Sequence, residues 1–421
     1  MNHAYPLVTA TLDNGLKVVV NSDPWVPGVA VNLWYGVGSA DERPGTTGFA
    51  HLFEHLMFSG SEQVASGEYD TLLQGIGGNS NATTSFDRTS YFETVPSGGL
   101  ALALWLEAER LDSLLTRVDR VNLDTQREVV KEEKRQRYDN VPYGDAFDQL
   151  MSLVFPAGHP YAHLPIGSME DLDRASLEDV HTFFHQYYAP DNVVLGICGA
   201  TSASAALDLV ETYFSPIQSR TTASPVAVAP LPPMREIPRR DVVAMVPQDV
   251  VYAAWLVPPI ADPVTDPLNL ALAVLTGSMT SRLHDKIVRT SVADSVDAFD
   301  LGLEHGNSLI VATAACADGV SPEAVEDAMM TVWDEFCSEG PTEQELTRVQ
   351  RAENRQYLLD CASVRSRADH MCAAWALFDD PEELNRHLDV IGRITTDDIA
   401  QTSADWLAAE NRAVLTYRRS A

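Results

Sequence analysis

Residues 176–200 read SLEDVHTFFHQYYAPDNVVLGICGA, and residues 395–419 read TTDDIAQTSADWLAAENRAVLTYRR. Each stretch passes through the same series: a hydroxyl residue that can cap a helix, an acidic first turn, an aromatic end, an asparagine and a strand-forming run. Asn192 and Asn411 fall at matching positions in the two stretches. Any α+β domain can end in a helix and a strand, but the agreement of the spacing favours an internal duplication. The chain is predicted to contain two homologous halves.

A proline-rich segment separates these halves. Residues 215–240 read SPIQSRTTASPVAVAPLPPMREIPRR and show no apolar period. Proline can continue neither a helix nor a central strand, so this composition is typical of an extended linker. A chain of 421 residues is also too long for one ordinary core. We therefore predict an N-terminal domain over 1–215, a linker over 216–240 and a homologous C-terminal domain over 241–421.

Strand-like and helical patterns alternate within each half without a strict βαβ order. LKVVVNS (16–22) and GVAVNLWYGVGS (28–39) have strand composition, whereas GLALALWLEAERLDSLL (99–115) has a helical one. This arrangement predicts an α+β protein made of two α/β sandwich domains. In each domain a largely antiparallel sheet would be flanked by helices.

Composition narrows the possible partners and the compartment. The chain has 29 basic and 60 acidic residues, a formal net charge of −31. Such a surface repels nucleic acid and anionic lipid, so we expect neither a nucleic-acid nor a membrane partner, and it weakly favours basic peptides. The five cysteines are scattered, which indicates thiols in a reducing compartment. The N-terminus shows no signal-peptide pattern, so the expected location is cytoplasmic.

The segment GFAHLFEHLMFSG (48–60) divides its side chains between two faces of a predicted helix. Phe49, Leu52, Phe53 and Leu56 recur at helical spacing and form an apolar stripe, and Gly60 is a plausible stop. The other face carries His51, Glu54, His55 and Phe58. A face reserved for polar groups on an otherwise apolar helix calls for a chemical explanation.

Zinc binding is the explanation that this spacing favours. Histidines at i and i+4 lie one turn apart and can bind one cation. A catalytic zinc needs a third protein ligand and one open position, and it lowers the pKa of water there. Glu54 is placed to accept the proton of that water, and HxxEH is the inverse of the HExxH zinc motif. Chance occurrence of the motif, or a purely structural polar face, is the alternative.

Several further motifs resemble the insulinase/pitrilysin family of zinc metallopeptidases, especially its shorter bacterial members and the mitochondrial processing peptidase. The resembling segments are DNGLKVVVNSD (13–23), VGSADERPGTTGFAHLFEHLMFSGSE (37–62), GGNSNATTSFDRTSYFETVP (77–96), REVVKEEKRQRYDNVPYG (127–144), HPYAHLPIGSMEDLDRASLEDVHTFFHQYYAPDNVVL (159–195) and TGSMTSRLHDKIV (276–288). The resemblance implies one Zn²⁺ per chain, held by His51, His55 and a later glutamate. It also implies that each chain forms half of a clam-shell chamber.

By this resemblance the third ligand lies about eighty residues after the first histidine, at Glu133 or Glu132. The family's register around Gln126 favours Glu133 and leaves Glu132 as the alternative. Gln126 stands where the family often has a glutamate that supports the ligands. An amide can still hydrogen-bond a ligand, but it brings no charge.

The resemblance also predicts how a substrate peptide binds. The strand within residues 79–96 would be a sheet edge beside the zinc, to which the peptide adds as a further strand. Asn81 and Ala82 would then line the scissile bond. An ordinary hairpin strand is the alternative interpretation.

The C-terminal half departs from the pattern of active family members, which supply an Arg and a Tyr about seven residues apart. Arg289 matches the Arg, but Ser295 and Val296 stand where the Tyr is expected. The tyrosines after the linker lie elsewhere, at Tyr252, Tyr357 and Tyr417. We therefore expect a homodimer, or a heterodimer with a family subunit that carries the Arg/Tyr pair. Ser281-Arg282-Leu283 matches a packing motif rather than a catalytic one.

These patterns predict a zinc-dependent metalloendopeptidase in which Glu54 activates a zinc-bound water to cleave short or unfolded peptides. One alternative is a non-catalytic or partner-dependent subunit of a heterodimeric processing complex. Another is a zinc hydrolase of some other class, but the sequence shows no phosphate loop or nucleophile elbow that would favour it.

Overall fold

A computed structural model describes residues 4–219, 228–234 and 236–420, so residues 220–227 and 235 of the predicted linker lie outside the described residues. The strands β1 to β11 are, in order, Val8–Thr11, Lys17–Ser22, Gly28–Tyr35, Asn79–Thr84, Thr89–Pro96, Val193–Gly199, Arg239–Ala244, Val250–Val257, Ala293–Asp300, Ser308–Cys316 and Arg412–Arg419. The helices α1 to α14 are Phe49–Leu56, Glu68–Gly75, Leu100–Ser113, Arg120–Lys134, Ala146–Val154, Met169–Arg174, Leu177–Tyr187, Ala203–Phe214, Thr265–Leu275, Pro322–Glu339, Glu343–Ala362, Val364–Phe378, Glu383–Arg393 and Thr396–Trp406.

The strands form two sheets with the same topology. The first has the order β1-β2-β6-β3-β5-β4, and the second has the order β7-β11-β8-β10-β9. Without β1, the first sheet has the order β2-β6-β3-β5-β4. Each of its strands corresponds to the strand five numbers later in the second sheet, in the same order. The pairs β2–β6 and β7–β11 are parallel and the other pairs are antiparallel. The predicted α+β class, with two largely antiparallel sheets flanked by helices, is confirmed.

The matching ends of the two halves adopt the same local structure. Ser176 caps α7 and Thr395 caps α14, each in a reciprocal capping box with the acid three residues later. Asn192 Nδ2 donates to the carbonyl of Tyr187, five residues earlier, and Asn411 Nδ2 donates to a carbonyl at the same offset. Because topology, caps and asparagine contacts all repeat, the predicted duplication is confirmed.

The chain folds into two compact units that do not follow the predicted boundary along the sequence. The first unit contains residues 1–134, 163–226 and 357–387, and the second contains 135–162, 227–356 and 388–421. Residues 357–387, a helical segment from late in the sequence, therefore belong to the unit that contains the first sheet. The segment that follows α4 belongs to the second unit.

Helix α12 is the late element that covers one face of the first sheet. It contacts β3 and β6, and Met371 and Cys372 are buried with Trp34 in the same apolar cluster. At Gly196 a Cβ atom would lie 2.6 Å from Cys372 Sγ, so only glycine permits this close helix–strand approach. Arg367 of α12 also donates to Asn21 Oδ1 at 2.8 Å and ties the helix to β2.

The second unit has its own core on its own sheet. Trp255 of β8 stacks on Trp333 of α10, with ring centroids 4.3 Å apart and planes nearly parallel. Both indole N–H groups donate to backbone carbonyls near the end of α14. Among the described helices, none combines the length and the apolar composition needed to cross a membrane.

Candidate metal centre

Helix α1 presents the two faces that its sequence predicts. Phe49, Leu52, Phe53 and Leu56 are at most 3% exposed. Phe53 packs on the aromatic end of α7, where its ring centroid lies 4.4 Å from that of Tyr188. The opposite face, with His51, Glu54, His55 and Phe58, is half-buried. The apolar face therefore fixes the rotation of the helix and leaves its polar face open.

Two carboxylates anchor the N-terminal end of α1. Glu42, fully buried, accepts hydrogen bonds from the backbone N–H groups of Gly48 and Ala50 at 2.8 and 2.7 Å. Burial raises the pKa of Glu42 well above its ordinary value, although these N–H donors oppose the rise. Asp171 accepts from the backbone N–H and the hydroxyl of Thr47. Both carboxylates lie where a helix N-terminus attracts negative charge.

Helix α4 is attached to the same region as α1. Arg127 donates from Nε to the carbonyl of Leu172 and from Nη2 to the carbonyl of Ala175, both at 2.7 Å. Lys131 forms a 2.6 Å ion pair with Asp173. The short segment around α6 therefore holds both α1, through Asp171, and α4. Glu133 lies in the last turn of α4.

Three possible ligands meet between these helices. Within the described residues, His51, His55 and Glu133 form the one group of three or more His, Cys or carboxylate side chains whose ligand atoms lie within 4.8 Å of one another. His51 Nε2 lies 3.7 Å from Glu133 Oε1, and His55 Nε2 lies 3.4 Å from Glu133 Oε2. Glu132 is exposed and outside this group.

The donor set fits zinc in chemistry and in spacing. Two imidazole nitrogens and one carboxylate are a ligand set of catalytic zinc sites, which keep a fourth position open. Tetrahedral zinc with bonds of about 2.0–2.1 Å places its ligand atoms roughly 3.3–3.4 Å apart. Each histidine lies near this distance from a different oxygen of Glu133, and one ligand atom from each residue fits within 4.8 Å, so a zinc ion could be held after a rearrangement of these side chains.

Glu54 lies on the same face of α1 and is oriented by the neighbouring strand. The hydroxyl of Thr84, the last residue of β4, donates to Glu54 Oε2 at 2.5 Å. Tyr91 and Tyr188 are fully buried near this carboxylate, and their hydroxyls are 2.9 Å apart. Burial raises the pKa of Tyr91 well above its ordinary value, and the negative charge of Glu54 adds to the rise.

Strand β4 is at the end of the first sheet, next to α1. Its only strand neighbour among the described residues is β5. Asn81 is exposed, and its side-chain oxygen accepts from the backbone N–H of Ala82 at 2.9 Å. An edge of this kind can accept another strand.

Gln126 and Arg289 are the two remaining predicted site residues. Gln126 is half-buried on α4 and makes no side-chain hydrogen bond within the described residues. Arg289 belongs to the second unit, where it pairs with Asp285 at 3.3 Å.

The late tyrosines are engaged within their own units. The hydroxyl of Tyr417 donates to Asp145, and that of Tyr357 donates to the carbonyl of Leu384. Tyr252 is buried in β8.

Sequence reasoning did not identify Glu42, Asp171 or Thr84. Glu42 precedes Gly48 by six residues, and an acid just before a helix start is a weak signal that could have pointed to it. Asp171 and Thr84 contact the site only through the tertiary fold. No local pattern marks either residue.

Two models of one protein family match the chain. The model described as insulinase, peptidase family M16, matches residues 17–159, which include His51, Glu54, His55 and Glu133. The model described as the peptidase M16 inactive domain matches residues 174–353. The two matches together cover most of the chain.

Curated relatives carry zinc-protease and processing-peptidase names. The chain is 34% identical to the zinc protease PqqE of Helicobacter pylori over 59% of this chain and 55% of that protein. It is 26% identical to a probable mitochondrial-processing peptidase subunit beta of Arabidopsis thaliana over 74% and 60% of the two chains. The chain thus spans about half the length of the curated relatives it matches.

Solved structures share the fold. A protease from Helicobacter pylori superposes with a TM-score of 0.92 at 23% identity, over 99% of this chain and 100% of that one. A protein from Pseudomonas fluorescens, described as a peptidase M16 inactive domain, superposes with a TM-score of 0.89 at 17% identity, over 99% and 98%. The two matched family models and the relatives together show that the chain belongs to the insulinase family, peptidase family M16.

Proposed function

We propose that this chain is a zinc-dependent endopeptidase that cleaves short or unfolded peptides. The observation that carries the proposal is the meeting of His51, His55 and Glu133 beside Glu54 at an open sheet edge. The zinc-protease names of the relatives support this chemistry for the family.

One zinc ion per chain is the proposed cofactor, with His51, His55 and Glu133 as its ligands. When bound, zinc polarises a carbonyl group and lowers the pKa of water at its open position. Each of the three side chains is between 13% and 22% exposed, so the ligands are shielded while the position beside them stays reachable.

Glu54 is the proposed general base. Its carboxylate lies one residue from His55 on the open face of α1, where it can take a proton from the attacking water. The Thr84 hydroxyl occupies Oε2 and so fixes the plane of the carboxylate. After attack, the same carboxyl group can return the proton to the leaving amine.

The proposed substrate site is the free edge of β4. A peptide paired there would bond through its main chain, with Asn81 and Ala82 beside the scissile bond. Main-chain pairing accepts many sequences but requires an extended, unfolded segment. This requirement is why short or unfolded peptides are the proposed substrates.

A second subunit is part of this proposal. The chain spans about half the length of its curated relatives, and one relative is named as a subunit of a processing peptidase. We propose that two half-chambers enclose the peptide, either as a homodimer with Arg289 from each copy or with a partner that adds an Arg/Tyr pair. A non-catalytic role in such a complex is the alternative, which the description of the second matched domain as inactive favours.

Hydrolysis of a quenched, unstructured peptide mixture by the zinc-loaded chain tests the proposal. Glu54→Gln should keep one zinc per chain and lose activity by about 10²–10⁴-fold. His51→Ala should lose the zinc itself. Equal activity of wild type and Glu54→Gln, or unchanged zinc content in His51→Ala, contradicts the proposal. Zinc binding with no cleavage by the chain, alone or beside its partner, favours the non-catalytic alternative.

A further inference from the structure

A cavity of about 500 Å³ lies on the face of the first sheet away from α1. Its lining includes Thr83, Arg88 and Phe92 from the β4–β5 hairpin and Arg365 from α12. Side chains alternate along a strand, so Thr84 reaches Glu54 on one face of the sheet while Thr83 borders the cavity on the other. The cavity and the metal centre are therefore reached from opposite sides of the same edge strand.

Two guanidinium groups of this cavity lie over aromatic rings. The guanidinium carbon of Arg365 is 4.0 Å from the ring centroid of Phe92, and that of Arg88 is 4.7 Å from the ring centroid of Trp34. Arg88 also donates to the Thr83 hydroxyl at 2.7 Å. A guanidinium held over an aromatic ring by a cation–π contact still has N–H donors whose fork geometry suits a carboxylate.

Neither arginine forms an ion pair with any described acidic residue. This is notable in a chain with twice as many acidic as basic residues. Two aspartates, Asp360 and Asp369, also line the cavity, and Asp369 accepts a hydrogen bond from Asn32 Nδ2 at 3.0 Å. Burial lowers the pKa of His370, so its ring adds no charge at neutral pH. The two arginines are the cationic groups of the lining, and both lie at the β4–β5 hairpin: Arg88 belongs to the hairpin, and Arg365 lies against Phe92 of β5.

We propose that the cavity is a subsite for an acidic side chain, Asp or Glu, of the peptide strand bound at β4. The inference rests on the proposed function, because it needs a peptide at that edge. A strand added beside β4 turns every second side chain towards the face of Thr83. A carboxylate on that face can accept paired N–H···O bonds from the guanidinium groups of Arg365 and Arg88. The preference for an acidic side chain then applies to this one position of the peptide, although the net charge of the whole chain favours basic peptides.

Binding of fluorescent peptides to zinc-loaded Glu54→Gln full-length protein tests the subsite without cleavage. A single Glu moved along a neutral peptide should tighten binding by about tenfold at particular positions, relative to Gln at the same position. Arg365→Gln should abolish that gain while leaving the affinity for the Gln peptide unchanged. Arg365→Glu should reverse the preference towards Lys. Arg120→Gln, on an exposed arginine of α4, should behave like the parent.

Titration with inorganic phosphate separates a substrate subsite from a site for free oxyanions. If phosphate binds and Arg365→Gln removes its binding, while Glu and Gln peptides bind equally, the cavity serves a free anion and the proposal is overturned. Equal binding of all peptides by the parent and by Arg365→Glu also overturns it. Selective peptide binding by Glu54→Gln, together with an inactive wild type, would sink the proposed function but keep the subsite.

Discussion

The contact between Thr84 and Glu54 is a single hydrogen bond on which the proposed chemistry depends. Thr84→Val keeps the shape of the side chain and removes the donor to Oε2. A hydrogen bond to a charged group is worth roughly 1.5–3 kcal/mol, so kcat should fall about tenfold or more while zinc content stays at one per chain. Steady-state kinetics and metal analysis check this.

Thr71→Val is the matched control for Thr84→Val. Thr71 is exposed on α2, and its hydroxyl donates to the carbonyl of Gly67, which precedes that helix. The control should retain full kcat. A Thr84→Val enzyme as active as this control would show that the hydroxyl does not position Glu54.

Tyr69, Glu93 and Glu107 form a buried cluster in which one carboxyl group must be protonated. The Tyr69 hydroxyl lies 2.5 Å from a Glu93 oxygen and 2.6 Å from a Glu107 oxygen, and all three side chains are buried. One hydroxyl has one hydrogen and cannot donate to both carboxyl groups. One of them must therefore carry a proton of its own. Arg110 pairs closely with Glu107 and lies 3.6 Å from Glu93 Oε1, whereas burial and the nearby Glu107 raise the pKa of Glu93 well above its ordinary value.

This assignment predicts losses of stability of different size for two similar substitutions. Glu93→Gln replaces a neutral acid by a neutral amide and should cost less than about 1 kcal/mol of unfolding free energy. Glu107→Gln removes the carboxylate that pairs most closely with the buried Arg110 and leaves only Glu93 near it, so it should cost more, up to about 3–5 kcal/mol. Urea unfolding at pH 7 measures both. The reverse order of the two costs would place the proton on Glu107.

At the scale of elements, the segment around α6 holds both helices that carry the proposed ligands. Arg127→Lys on α4 keeps the charge but cannot reach the carbonyls of Leu172 and Ala175 together. The zinc dissociation constant should rise by about 10–100-fold, as it does when groups supporting metal ligands are lost. Competition with a chelator measures it. Arg120→Lys, whose parent side chain is 88% exposed on the same helix, should leave the constant unchanged; an equal rise in both would refute the anchoring role.

The Ser281-Arg282-Leu283 motif acts in the structure through a helix-to-helix contact. Ser281 and Leu283 are buried, and Arg282 binds both oxygens of Glu345 on α11 at 2.8 Å. The Arg282 hydrogen bonds lower the pKa of Glu345 to about 2. Because the folded pKa is below the unfolded value of about 4.3, this stabilisation is present above pH 4.3 and is lost as the pH falls towards 2.

Glu345→Gln should therefore lower the unfolding free energy by roughly 1–2 kcal/mol at pH 6, a figure reduced for the partial exposure of the pair. At pH 3 the difference from wild type should be less than half as large. Denaturant titrations at the two pH values test this. Glu343→Gln, at an exposed position on the same helix, should show no such pH dependence. A difference for Glu345→Gln that is constant from pH 6 to pH 3 contradicts the assigned pKa shift.

Sequence patterns predicted the elements of the site better than their supports. The 3.6-residue period of α1 placed two histidines and Glu54 on one face, because that relation is local. The third ligand needed a family register, since Glu133 is some eighty residues away. Glu42, Asp171 and Thr84 were missed for the same reason: each acts through a contact that exists only after the chain has folded.

At the scale of the whole molecule, the sequence predicted the duplication. It did not predict that residues 357–387 join the first unit and residues 135–162 the second. Capping residues and asparagine spacing repeat along the sequence, and the sheet topology repeats with them. An apolar helix face indicates that a helix is covered, but it does not say by which sheet. Nothing in residues 357–387 reveals that α12 packs on a sheet built from strands near the opposite end of the chain.

Because α12 covers the first sheet, we expect that the N-terminal half does not fold stably without it. Residues 1–215, the predicted N-terminal domain, lack α12 and would expose the sheet face that Met371, Cys372 and Trp375 bury. Each large apolar side chain of this kind contributes about 1.5–3 kcal/mol on burial, and the sum approaches the 5–15 kcal/mol stability of a typical domain. The fragment should therefore be largely insoluble and bind zinc weakly. Joining residues 357–387 to it through a flexible linker should recover soluble, zinc-binding protein, whereas the same fusion with Met371→Asp should not. Soluble expression and zinc stoichiometry decide between these outcomes, and a well-folded 1–215 fragment with one tightly bound zinc would show that α12 is dispensable for the metal centre.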